Sequence, residues 1–145
     1  MSPALQELRL TAQDPDNEEY DNFPYNLDEY CPGLHTLHVT FEGGWELSAS
    51  TCSGTVMDSL PRMHDLRNLN ISAAYLFFPF PFAPHVTQLG LHSKAILSVS
   101  DTSFSAMTRL QALTIRCDEM SAAQDLWGDL KGLNSLTHLA FEHRD

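Results

Sequence analysis

Basic residues are scarce in this chain. Eight Lys and Arg stand against 19 Asp and Glu in 145 residues, a formal net charge of −11. Nucleic-acid binding needs phosphate neutralisation by a basic surface, so this balance argues against a DNA or RNA partner. Cysteine is scarce as well. The three residues, Cys31, Cys52 and Cys117, are odd in number and irregular in spacing. That argues against a disulfide framework and fits a reducing, intracellular setting, cytoplasmic or nuclear. No apolar run approaches the roughly 18 residues of a membrane span. The opening MSPALQELRL lacks the basic start and hydrophobic stretch of a signal peptide. No membrane partner is expected.

Catalytic and metal-binding motifs are also missing. The sequence contains no G-x-S-x-G elbow, phosphate loop or dinucleotide fingerprint. Cys52 lies in CSG, with nothing to mark a partner His. No Cys pair has zinc spacing, and His35 and His38 would face opposite sides of a strand. The stretch Asp14-Pro15-Asp16-Asn17-Glu18 begins like a calcium loop. However, Glu19 stands where the loop needs its sixth-position Gly, and Tyr25 where it needs a bidentate Glu. The expectation is a non-enzyme with no catalytic residue, no metal and no cofactor.

What is present is enough apolar matter for one domain: 43% hydrophobic residues, with two Trp and eight Phe. A compact domain of this length buries roughly 70% of its unfolded surface. The charge is uneven. Residues 1–60 carry eleven acids and one base, whereas residues 61–145 carry eight and seven. Seven of the acids crowd into an insertion at 14–30 that has no base of its own. Mutual repulsion predicts that this insertion is mobile and dispensable for folding. Tyr20, Phe23, Tyr25 and Leu27 are the residues that could fold it back.

One phrase, apolar-x-x-apolar-x-apolar, recurs six times: at 5–10, 34–39, 66–71, 86–91, 110–115 and 136–141. Further apolar residues stand three and six positions before it, as in Leu60, Met63, Leu66 and in Phe104, Met107, Leu110. A period of three or four followed by a period of two reads as a helix turning into a strand. The return segments differ. SAAQDLWGDLKGL (121–133) reads as helix, with a Ser121/Gln124 capping box. STCSGTVMDSL (50–60) could supply two turns, and YLFFPFPFAP (75–84) is held extended by its three Pro.

In these phrases the chain resembles the leucine-rich repeat family, whose pattern is L-x-x-L-x-L-x-x-N/C-x-L. The first half of the pattern is met six times. The Asn/Cys position instead falls on Gln13, Glu42, Ala74, Lys94, Asp118 and Arg144, so the Asn ladder of regular members is absent. Uneven repeats and the CPGL at 31–34 look more like the irregular repeats of F-box proteins, particularly fungal ones. The resemblance implies an α/β leucine-rich-repeat solenoid, or horseshoe, over residues 1–145: a curved, mostly parallel sheet of about six strands with helical or irregular convex returns. It further implies a protein-binding module, such as the substrate-recognition repeats of an F-box-type ubiquitin-ligase subunit. No F-box is recognisable in these 145 residues.

Alternate residues of a strand face opposite ways. If the phrase Leu residues point inward, the other face is small and polar. Its candidate partner-binding residues are Arg9, Thr36, His38, Asn68, Asn70, Gln88, His92, Thr114, Arg116 and His138. Such a face either docks a protein, as solenoids commonly do, or is simply solvated. It has no aromatic. Phe41, Trp45, Tyr75, Phe77 and Phe78, just after the strands, are either binding anchors or core. Two other readings stand beside the binding module: a calcium- or metal-dependent enzyme or regulator using 14–30, and a fragment of a longer solenoid with no site of its own. Leu5, Leu8 and Leu10 at one end and Leu136, Leu139 and Phe141 at the other lack a capping segment. They are expected to be partly exposed, giving end-to-end self-association or a piece of a longer repeat protein.

Overall fold

The computed structural model describes residues 5–12, 27–41, 46–47, 56–77, 84–97, 107–120 and 133–143. Each of the six phrases becomes a strand: β1 (Glu7–Ala12), β2 (Thr36–Phe41), β4 (Asn68–Phe77), β5 (Gln88–Leu97), β6 (Ala112–Met120) and β7 (His138–His143). All neighbours are parallel, in the order β1-β2-β4-β5-β6-β7. A short β3 (Glu46–Leu47) pairs with the far end of β4. The sheet is open, not closed into a barrel.

The register aligns equivalent phrase positions. Leu8, Leu37, Leu69, Leu89, Leu113 and Leu139 form one line across the strands. The four inner members are buried, whereas Leu8 is half-buried and Leu139 is 47% exposed. A parallel strand cannot hand the chain to its neighbour by a two-residue hairpin. The returning segments therefore bring Leu27, Leu60, Met63, Val86, Met107 and Leu133 onto the same apolar side, where they join the core.

Among the described residues, the apolar pairs just before three of the phrases stand at the two ends of a reverse turn, whereas Phe104 and Leu130, six positions before their phrases, lie outside the described residues. Leu66 N donates to Met63 O, Leu110 N to Met107 O and Leu136 N to Leu133 O, at 3.1–3.2 Å. Cys31 and Leu34 close an equivalent turn at Pro32-Gly33. Leu60 belongs to a 3-10 helix (Val56–Arg62), and Met63 N continues it by donating to Leu60 O. A 3-10 helix has three residues per turn, so helix and turn together produce the spacing of three. Of the helix expected at 121–133, residues 121–132 lie outside the described residues, as do 50–55 and 78–83.

Each turn delivers the chain into the sheet by a repeated bond. The carbonyls of Gln6, His35, Arg67, Thr87 and Gln111 each accept two successive N–H groups from the next strand's start, at 2.8–3.0 Å. At the other end, the strands continue beyond the positions where the Asn ladder would stand. β4, β5 and β6 run on past Ala74, Lys94 and Asp118, the pairing skipping those three residues and resuming at Tyr75, Ala95 and Glu119. Buried Ser93 lies beside this break, with its hydroxyl 3.0 Å from Ala74 O and 2.8 Å from Ala95 O, and accepting from Ala95 N.

The acidic insertion needs a correction at its C-terminal end. Residues 14–26 lie outside the described residues, but Leu27–Tyr30 form a helix, α1. Leu27 is in the core, and its N–H donates to buried Ser59 Oγ at 2.9 Å. Asp28 is held by Arg62 of the 3-10 helix. The base that this insertion lacks comes from a distant part of the chain.

Candidate binding face

Alternation along each strand puts the Leu line on the core face and the intervening side chains on the opposite face, where the register sorts them into rungs. The first runs Glu7, Thr36, Asn68, Gln88, Ala112, His138; the second Arg9, His38, Asn70, Gly90, Thr114, Ala140; the third Thr11, Thr40, Ser72, His92, Arg116, Glu142. All ten residues singled out in the sequence stand on these rungs.

They do not all line one site. A hollow of about 580 Å³ takes in Arg9, His38, Asn70, His92, Thr114 and Arg116, floored by Gly90 and flanked by Thr40 and Ser72. A smaller one of about 120 Å³ is lined by Asn68, Asn70, Gln88 and Thr114 among others. Thr36 lies beside it, accepting a bond from Asn68 Nδ2 at 3.3 Å. His138 stands apart on β7, its Nδ1 2.9 Å from Thr137 Oγ1.

Gly90 creates the floor. A Cβ built there would collide with Asn70 Oδ1 and come within 3.3 Å of its Cγ, so the Asn70 side chain leans over the space that the missing side chain leaves. The sequence carried this signal, a lone Gly at an outward strand position, but the face reading passed over it.

The electrostatics are local. Glu7 Oε1 lies 3.2 Å from His38 Nε2 and 3.4 Å from Arg9 Nη2. Arg116 Nε meets Glu142 at 3.2 Å. Both acids belong to the outer strands, and neither lines the 580 Å³ hollow. Beyond it, His92, Lys94, Arg116, Cys117, Asp118 and Glu142 surround a third hollow of about 310 Å³. Cys117 is core rather than reactive: burial first, and Asp118 second, push its thiol above the usual range. Cys31 is half-buried, and both carry free thiols.

The aromatic candidates divide. Phe41 is core, at 3% exposure, whereas Tyr75 is 37% exposed on β4, past the end of its phrase. Trp45 and Phe78 lie outside the described residues. At the N-terminal edge of the strands is a pair that the sequence did not suggest: His64 Nδ1 lies 3.1 Å from His85 Nε2, with the rings edge to face.

Among the described residues, no three His, Cys, Asp or Glu side chains gather as a metal site would require. No described helix is long and apolar enough to cross a membrane. Compared with known protein families, curated proteins and solved structures, the chain has no significant match.

Proposed function

We propose that the chain is a leucine-rich-repeat solenoid acting as a non-catalytic protein-binding module, with the polar sheet face as its docking surface. The observation that carries this reading is the row of polar rungs across six parallel strands, hollowed at Gly90. Regular repeats that bury one face leave the other free to vary, which suits recognition of a partner. The side chains there are mostly short and polar. The narrower role, as substrate-recognition repeats of an F-box-type ubiquitin-ligase subunit, rests on the resemblance of the phrases and of CPGL alone.

Site-directed photocrosslinking tests the face. A photoreactive residue at Asn70 or Thr114 should capture a protein partner, and one at Glu29 on α1 should not. Gly90→Arg, which fills the hollow, should abolish the Asn70 crosslink. Equal crosslinking from all three positions would overturn the reading.

A further inference from the structure

We infer that the 580 Å³ hollow receives an acidic, extended segment of the partner protein, laid across the strands with carboxylates meeting Arg9 and His38 at one end and His92 and Arg116 at the other. This rests on the docking reading above and adds the chemistry of the partner.

The first support is charge. The chain as a whole carries −11, yet among the described residues the hollow is lined by two Arg and two His and by no Asp or Glu. These cations are balanced only by Glu7 and Glu142 just outside the hollow, so on an otherwise acidic molecule this is where an anionic segment meets exchangeable positive partners.

The second is that carboxylates already occupy these cations from the side. Glu7 reaches Arg9 and His38, and Glu142 reaches Arg116. Both arginines are more than half exposed, so these pairs are weakly held and easily exchanged. An incoming carboxylate can replace the internal one with the same geometry, and Arg favours such planar partners.

The third is dimension. Arg9 on β1 and Arg116 on β6 are four strand steps apart in the sheet order. Strands lie about 4.8 Å apart, so the span is about 19 Å, which an extended peptide covers in about six residues. Asn70 on β4 lies under the middle of that path, its side chain leaning over Gly90 on β5, and an amide there can hydrogen-bond a passing backbone.

The test is fluorescence anisotropy with labelled six-residue probes: alternating Glu and Ser, the same with Gln for Glu, the same with Lys for Glu, and a thymidine hexanucleotide. The Glu probe should bind best and weaken with rising NaCl. Arg9→Gln combined with Arg116→Gln should lower its affinity about tenfold or more. Glu7→Gln and Glu142→Gln should each raise affinity, because they release a cation without touching the core. A purely structural role for these ion pairs would not produce that gain. Binding of the Gln or Lys probe as tight as that of the Glu probe, lost in Gly90→Arg, would overturn the acidic-partner inference and leave the docking face standing. Tighter binding of the oligonucleotide would overturn it in favour of a nucleic acid. No binding of the Glu probe, or no gain in either Glu→Gln variant, would overturn it as well. Failure of the docking reading would be seen separately, in the crosslinking.

Discussion

Arg62 clasps Asp28 with two hydrogen bonds, Nε to Oδ2 at 3.0 Å and Nη2 to Oδ1 at 3.1 Å, across 34 residues of sequence. The clasp ties α1 to the 3-10 helix and so fixes the point at which the acidic insertion rejoins the fold. Arg62 is half exposed, so the pair's worth is modest, about 1 kcal/mol or less.

The clasp predicts acid sensitivity. The Arg62 hydrogen bond first, and its charge with it, hold the Asp28 carboxyl below its ordinary value against the opposing effect of burial. A depressed carboxylate contributes stability that is whole above its unfolded pKa and is lost as pH falls through the folded one. Arg62→Met should therefore be destabilising at neutral pH. Its deficit in urea unfolding should vanish once Asp28 is protonated in both forms.

His85 predicts a second loss, at milder acidity. Partial burial first, then the charges of Arg109, His64 and Arg67, lower its pKa, with Asp65 opposing. The unfolded chain thus binds a proton that the folded chain resists. Stability at this site is whole above the ordinary 6.5 and falls as pH drops from there toward the folded value. His85→Gln should flatten the decline in unfolding midpoint across that window, and an unchanged slope would contradict the assignment.

Core truncation should depend on rung position. Leu69, fully buried, should cost roughly 2–5 kcal/mol on replacement by Ala. Leu139, equivalent in register but 47% exposed, should cost under about 1 kcal/mol. Equal losses in chemical denaturation would mean that β7 is covered by something further.

Gly90→Ala separates two effects. Replacing a mid-strand Gly by Ala gains roughly 0.5–1 kcal/mol of backbone entropy when there is room. Here Asn70 Oδ1 fills the room, so the single variant should be near neutral. In an Asn70→Ala background the same change should become stabilising, and the coupling is read from the double-mutant cycle.

The two edges of the sheet carry partly exposed apolar residues, Leu5 just before β1 at 38% and Leu139 on β7 at 47%. We propose end-to-end self-association through these edges, slowed by the net charge. Sedimentation should show average mass rising with protein concentration and rising further with salt. A constant monomer mass under both changes would refute it.

Much of this architecture was legible in the residues. The six phrases set which side chains alternate inward, and stacking equal phrases leaves one register that buries Leu37, Leu69, Leu89 and Leu113 together. The polar face follows by parity, which is why all ten candidate residues fall on its rungs. A period of two is a property of a single strand, and short-range pattern suffices to read it.

Other features were decided only by the tertiary structure. The spacing of three before the phrases suits a helix or a turn equally, and where the structure describes it, at Met63–Leu66, Met107–Leu110 and Leu133–Leu136, both ends of a turn pack into or against the core. Arg62 with Asp28, His64 with His85 and Asn70 over Gly90 join residues 34, 21 and 20 positions apart. No local pattern encodes such pairs, because each exists only once neighbouring repeats have stacked. The sequence by itself determined which residues face the core and which face outward. Stacking decided which outward residues meet, since repeat lengths of 20 to 32 residues bring different parts of each return segment into line.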